Sequence, residues 1–135
     1  MKSSTDLVKE AYEKFGSGDI DGLLSLMTND IHWSTPVIDG TTIGGVRRGH
    51  EGAGEFFRIL NETEIVNNFE PREFISEGNR VAVLGTYGAT VKETGRSYEI
   101  EWAQFFTVRD GKIASFDEYF DTAIAAKAFQ KALPA

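Results

Sequence analysis

The sequence predicts an α+β fold: a strongly curved antiparallel sheet of conical, barrel-like outline, with three N-terminal helices packed on its concave face and a short C-terminal helix. Three observations lead there. Apolar residues recur at helical spacing as far as Leu60, and from Phe69 to Phe120 they alternate with period two. The strand-like segments follow one another across short turns, as in an antiparallel meander. Two of these segments are about twice the usual strand length, and strands that long curve when they wrap something. Gly85 and Gly88 are the natural bending points.

Each element has its own local cause. Ser3, Ser4 or Thr5 caps a first helix carrying Leu7, Val8, Ala11, Tyr12 and Phe15 on one face, and Gly-Ser-Gly-Asp at 16–19 ends it. Asp19 caps a second, shorter helix through Leu23, Leu24 and Met27. Residues 29–36, Asn-Asp-Ile-His-Trp-Ser-Thr-Pro, have the character of a short strand closed by Pro36. The glycine-rich stretch 39–49 reads as a loop. Ala53, Phe56, Phe57 and Leu60 at i, i+3, i+4, i+7 make a third helix. Strands follow at 70–77, 79–92, 97–109 and 112–120, separated by Glu-Gly-Asn, Glu-Thr-Gly-Arg and Arg-Asp-Gly-Lys turns. Asp121 or Thr122 caps a last helix over 121–133.

With 135 residues, 41% apolar and 26% charged, the expectation is one domain with one core. Twenty-one acidic against fourteen basic residues give a net charge of −7, which repels phosphate backbones and anionic lipid, so neither nucleic acid nor membrane is an expected partner. There is no cysteine, which excludes a disulfide framework, a thiolate zinc site and a cysteine nucleophile. The N-terminal residues lack the unbroken apolar stretch of a secretory signal, and no run approaches the ~18 apolar residues of a membrane span, so the default location is the cytoplasm.

The last hairpin raises the functional question, because Asp117, Glu118 and Asp121 sit among Phe116, Tyr119 and Phe120 where a strand rarely carries carboxylates. Val-Arg-Asp-Gly-Lys suits a three-residue loop, with Gly111 in the left-handed position and Val108 opposite Lys112. Gln104 then lies opposite Phe116, and Trp102 opposite Glu118. One face carries Trp102, Gln104, Phe106, Phe116, Glu118 and Phe120; the other carries Ala103, Phe105, Ser115, Asp117 and Tyr119. Large aromatics with one amide and one carboxylate are what a ligand pocket combines. A two-residue Asp-Gly turn would instead pair Gln104 with Asp117. In the first register Glu118 stands in an apolar enclosure, where desolvation raises its pKa towards the range useful for proton transfer. Asp117 then faces solvent or an interface, and Asp121 caps the last helix.

The stretches Ser17–Pro36, Arg47–Phe57 and Glu93–Asp121 resemble the nuclear-transport-factor-two-like superfamily, in particular its SnoaL-like polyketide cyclase and ketosteroid-isomerase-related branch. The resemblance implies a cone of curved sheet and three helices around an apolar cavity, dimerised through the outer sheet face. It also implies that this is not a standard ketosteroid isomerase. Thr35 stands where that enzyme has its aspartate base, and Tyr12 is one residue, about 100° around the helix, from the position of its tyrosine donor. Gln104 matches the aspartic acid that helps bind the oxyanion. In the cyclase-like branch Gln104 and Glu118 match a pair of polar groups on the last two long strands. The implied chemistry is cofactor-free: Glu118 takes a proton from carbon next to a carbonyl, and Gln104 stabilises the enolate, in an isomerisation or an intramolecular aldol closure. Tyr12, Trp33, Thr35, Trp102, Phe106, Phe116 and Phe120 then shape the site for a small hydrophobic molecule. The alternatives are a ligand-binding protein without turnover and a dimeric interaction module presenting Phe105 and Tyr119.

Other signals do not assemble into a site. His32 precedes Trp33 on a strand and points away from it, and His50 stands at a helix start; two separated histidines without clustered carboxylates do not make a metal site. Gly-His-Glu-Gly-Ala-Gly at 49–54 lacks the order and the following Lys-Ser/Thr of a phosphate loop, and Arg47 and Arg48 read as solvated loop charges.

Overall fold

The structure, a computed structural model, describes residues 2–131. All but one of its described helices start where a short polar side chain takes up a free backbone N–H. Ser3 accepts from Asp6 N at 3.1 Å to open α1 (Ser4–Gly16), and Asp19 accepts from Gly22 N at 2.9 Å to open α2 (Ile20–Ser25). α2 stops short of Met27, which instead begins β1 (Met27–Thr35) as one of the most deeply buried side chains. The glycine-rich stretch is only partly a loop, because Gly45–Arg48 forms a short strand, β2, antiparallel to the end of β1. α3 (Gly49–Thr63) then turns Ala53 and Phe57 into the core.

β3 (Glu64–Glu77), β4 (Arg80–Val91), β5 (Ser97–Arg109) and β6 (Lys112–Phe120) form the expected meander. Asp121 caps α4 (Thr122–Phe129) by accepting from Ala123 N at 3.0 Å. β3 starts at Glu64, before any alternation is visible, because Ile65 and Val66 are exposed at the sheet edge and Glu64 is buried. The sheet order is β2-β1-β6-β5-β4-β3, with β1 and β6 parallel. β2 and β3 do not meet, so the sheet is curved but unclosed. Pro71, which has no N–H to give, sits on the edge strand β3 between two register shifts.

The β5–β6 hairpin corrects the expected register. Asp110 and Gly111 both have positive φ, 54° and 75°, and form a two-residue turn that pairs Arg109 with Lys112. A bulge follows at once: Val108 pairs with Ile113 but Thr107 pairs with Ser115, leaving Ala114 as the extra residue. Gln104 therefore lies opposite Glu118, not Phe116, and Trp102 opposite Phe120. Turn and bulge each shift the pairing by one, so the two faces keep the membership the three-residue loop would have given them.

The concave face is filled from both ends. Val8 and Ala11 of α1 and Phe57 of α3 pack with Trp33, Val83, Phe106 and Phe116, while Ala125 and Ala128 of α4 pack with Ile38, Ile43, Tyr98 and Ile100. Among the described residues no helix is long and apolar enough to cross a membrane.

At Gly85 β4 has no room for a side chain. A Cβ on Gly85 would lie 2.4 Å from the Glu70 carbonyl oxygen and 2.4 Å from Trp102 Cζ2, both closer than packing allows. Gly85→Ala should therefore lower the urea midpoint by the equivalent of about 1–3 kcal/mol, with the denaturant slope unchanged.

Candidate functional site

Between the concave sheet face and α1–α3 lies a cavity of about 110 Å³. For scale, a cavity of about 150 Å³ in another protein's core accepts benzene. Aromatic rings from α1, α3, β1, β3, β5 and β6 form its walls. Trp33 and Phe116, paired across β1 and β6, stack at 3.9 Å with planes 13° apart, and Phe106 meets Phe116 edge-on at 5.2 Å.

Eight of the predicted site residues, Tyr12, Trp33, Thr35, Gln104, Phe106, Phe116, Glu118 and Phe120, line this cavity. Trp102 does not. It points to the same side of the sheet, but Phe69 of β3 stacks on it at 5.1 Å, and its indole fills the space over Gly85. That ring is core, a correction to its expected place in the pocket.

A hydrogen-bonded chain crosses the cavity wall. Tyr12 on α1 donates its hydroxyl to Gln104 Oε1 at 2.8 Å, and Gln104 Nε2 donates to Glu118 Oε2 at 2.7 Å. Tyr12 reaches inward, and Phe69, Phe74 and Phe106 pack around its ring. Gln104 thus gives one of its two amide hydrogens to Glu118. Its expected role as enolate donor is not what this hydrogen bond performs.

Sequence reasoning missed Glu64, which stands at the junction of α3 and β3, is 4% exposed and faces the same cavity. Tyr98 donates a short hydrogen bond to its Oε1, and Tyr87 donates a second at 3.3 Å. A carboxylate heading a strand whose next two residues are exposed apolar side chains gives no sequence signal of burial. Burial pushes the Glu64 pKa above the usual carboxylate range, against the two tyrosine donors, which favour the charged form.

No described lysine, arginine or histidine lines the cavity, so neither carboxylate has a cation to stabilise its charge. Burial pushes the Glu118 pKa up to about 7; the Gln104 hydrogen bond resists this shift, and the Glu64 charge adds to it. Burial likewise raises the phenols of Tyr12, Tyr87 and Tyr98, so they remain neutral donors.

The two histidines have partners outside the cavity. His32 lies on the outer face with Nε2 3.5 Å from Asp117, and His50 Nε2 lies 3.0 Å from the Met27 carbonyl oxygen.

A carboxyl group whose pKa is higher in the folded than in the unfolded chain holds its proton more tightly when folded. Stability from it is therefore present at low pH and lost as pH rises from about 4.5 through about 7. Between pH 5 and pH 8 the wild type should lose on the order of 2 kcal/mol relative to Glu118→Gln, measured by urea denaturation at both pH values.

Comparison with known proteins places this geometry among relatives. Residues 8–116 match the SnoaL-like domain family. A nuclear-transport-factor-two-like protein from Burkholderia xenovorans LB400 is 34% identical, with 94% of this chain and 95% of that one aligned at a TM-score of 0.85. One from Burkholderia thailandensis E264 is 26% identical over 96% and 99% of the two chains, with a TM-score of 0.87. TerC, crystallised with polyporic acid, is 30% identical over 93% and 96% of the chains, with a TM-score of 0.82. No curated protein matches the sequence.

Proposed function

Because the chain belongs to the SnoaL-like domain family, we propose that its cavity is the active site of a cofactor-free enzyme that removes a proton from the carbon next to a carbonyl in a small hydrophobic compound. Glu118 is the general base. The observation that carries this reading is its place in an apolar cavity, with a hydrogen-bonded amide fixing its direction and a pKa near the working pH. The carboxylate takes the proton, the C–H electron pair becomes the new C=C bond, and the C=O π pair moves onto the carbonyl oxygen. The enolate then either regains a proton at another carbon, an isomerisation, or attacks a second carbonyl of the same molecule, an aldol ring closure. Glu118 returns the proton in both cases.

Gln104 and Tyr12 are positioning residues, since they act through Glu118. Trp33, Phe106, Phe116 and Phe120 supply apolar walls. The co-crystal of TerC with polyporic acid supports a small-molecule ligand. Thr35 in place of an aspartate argues against steroid isomerisation by the usual route.

One observation favours the alternative, a binding protein without turnover: the amide expected to hold the enolate gives one of its two hydrogens to Glu118. Acetophenone in D2O separates the two. The enzyme reading expects the protein to accelerate deuterium exchange of the methyl protons, followed by NMR, with a rate that falls as pH drops through about 7. Glu118→Gln should lose about 10²-fold or more. Exchange no faster than in buffer, with acetophenone bound, supports the binding protein.

The chain also has an apolar outer sheet face suited to a homodimer. Leu84 is 40% and Tyr119 61% exposed, and Phe105 packs edge-on to Tyr119 at 5.9 Å. Tyr119→Glu should convert the dimer to monomer in sedimentation; a wild type that sediments as a monomer at all concentrations refutes this.

A further inference from the structure

The hydroxyl and amide hydrogens around the cavity are largely spoken for. Tyr12 gives its hydrogen to Gln104, Tyr87 and Tyr98 give theirs to Glu64, and Gln104 donates to Glu118. Two lining side chains remain with no partner inside the protein, the Trp33 indole Nε1–H and the Thr35 hydroxyl. Both are more than nine-tenths buried, at 6% and 7% exposure. Buried polar groups of this kind are nearly always paired, and a tryptophan N–H usually finds an acceptor.

Their placement is not scattered. Trp33 and Thr35 alternate with outward His32 and Ser34 on β1, so both face the cavity side. β1 runs parallel to β6 with Trp33 beside Phe116 and Ser34 beside Asp117, and continuing the ladder by one residue sets Thr35 beside Glu118. A ligand oxygen held by these two donors would therefore stand next to the base. Neither donor carries a charge, so neither would lower the Glu118 pKa by Coulombic attraction.

We propose that Trp33 Nε1–H and the Thr35 hydroxyl are the donor pair that binds the ligand's carbonyl oxygen, and that the cavity takes a small carbonyl compound with its oxygen turned towards β1. This rests on the reading of Glu118 as base. It moves the oxyanion-binding role from Gln104 to β1: as Glu118 takes the proton, negative charge develops on the carbonyl oxygen, and the two unpartnered donors on β1 are the groups assigned to hold it.

The test uses a matched pair of probes: ¹³C-carbonyl acetophenone, and α-methylstyrene, which has the same shape with a CH2 group in place of the oxygen. In the wild type the carbonyl stretch of bound acetophenone should lie below its value in hexane, and acetophenone should bind more tightly than α-methylstyrene. Thr35→Val, which keeps the shape and removes the hydroxyl, should raise the stretch towards the hexane value and weaken acetophenone about tenfold, leaving α-methylstyrene unchanged. Trp33→Phe should raise the stretch in the same way. An unshifted stretch in the wild type, or a stretch and probe preference that survive both substitutions, overturns the proposal. Glu118→Gln separates it from the base reading: a lowered stretch retained there while proton exchange is lost supports both. A lowered stretch abolished only by altering Gln104 returns the oxyanion role to that residue.

Discussion

A single extra residue, Ala114, decides which carboxylate faces the cavity. The Asp110–Gly111 turn alone would pair Gln104 with Asp117, turning Asp117 inward with Tyr119 and sending Glu118, Phe116 and Phe120 outside. The bulge restores Glu118 to the inner face, opposite Gln104, and the Tyr12–Gln104–Glu118 chain follows from that pairing. Bulges near functional sites commonly re-aim a side chain in this manner. Here the bulge lies close to the turn, so from Ser115 onward β6 is in its final register, where it runs beside His32–Ser34 of β1 and brings Phe116 against Trp33.

With the register set, the electrostatics follow from what the cavity lacks. Two carboxyl groups face one apolar space without a cation in its walls, so burial raises the pKa of both, and the Glu64 charge adds to the rise at Glu118. They differ in their donors. Glu64 receives two phenol hydrogens, which favour its charged form, whereas Glu118 receives one amide hydrogen. The same surroundings therefore leave one carboxylate better satisfied than the other. Glu118, the less satisfied, is the group nearer to exchanging a proton with a ligand.

Much of this architecture was legible in the sequence because its causes are local. Ser3, Asp19 and Asp121 cap helices as their side chains dictate, and the alternation of β4, β5 and β6 matches the two sides of the sheet. The face containing Gln104 and Glu118 was also right, although through a different turn: a three-residue loop and a two-residue turn with a bulge have the same parity. What stayed hidden was set by tertiary context. Gly45–Arg48 becomes a strand because β1 is there to pair with it, not through its own propensity. Glu64 is buried while Ile65 and Val66 are exposed, the reverse of what hydrophobicity suggests, because Tyr87 and Tyr98 on neighbouring strands make a polar place for it. Trp102 has the pattern of a pocket aromatic, and only the stacking of Phe69 from the edge strand removes it from the cavity.

The choice of an amide at position 104 is itself part of the chemistry. A lysine or arginine there would pair with Glu118 and pull its pKa below the ordinary carboxylate value, leaving a weak base at neutral pH. A second carboxylate would push the pKa higher still and leave the base protonated. The neutral glutamine fixes the direction of Glu118 through a 2.7 Å hydrogen bond while burial keeps the pKa near 7. Its other end accepts from Tyr12, so the amide cannot rotate without breaking a bond on each side. α1 thereby holds, through one tyrosine and one glutamine, the orientation of a carboxylate on the last strand of the sheet.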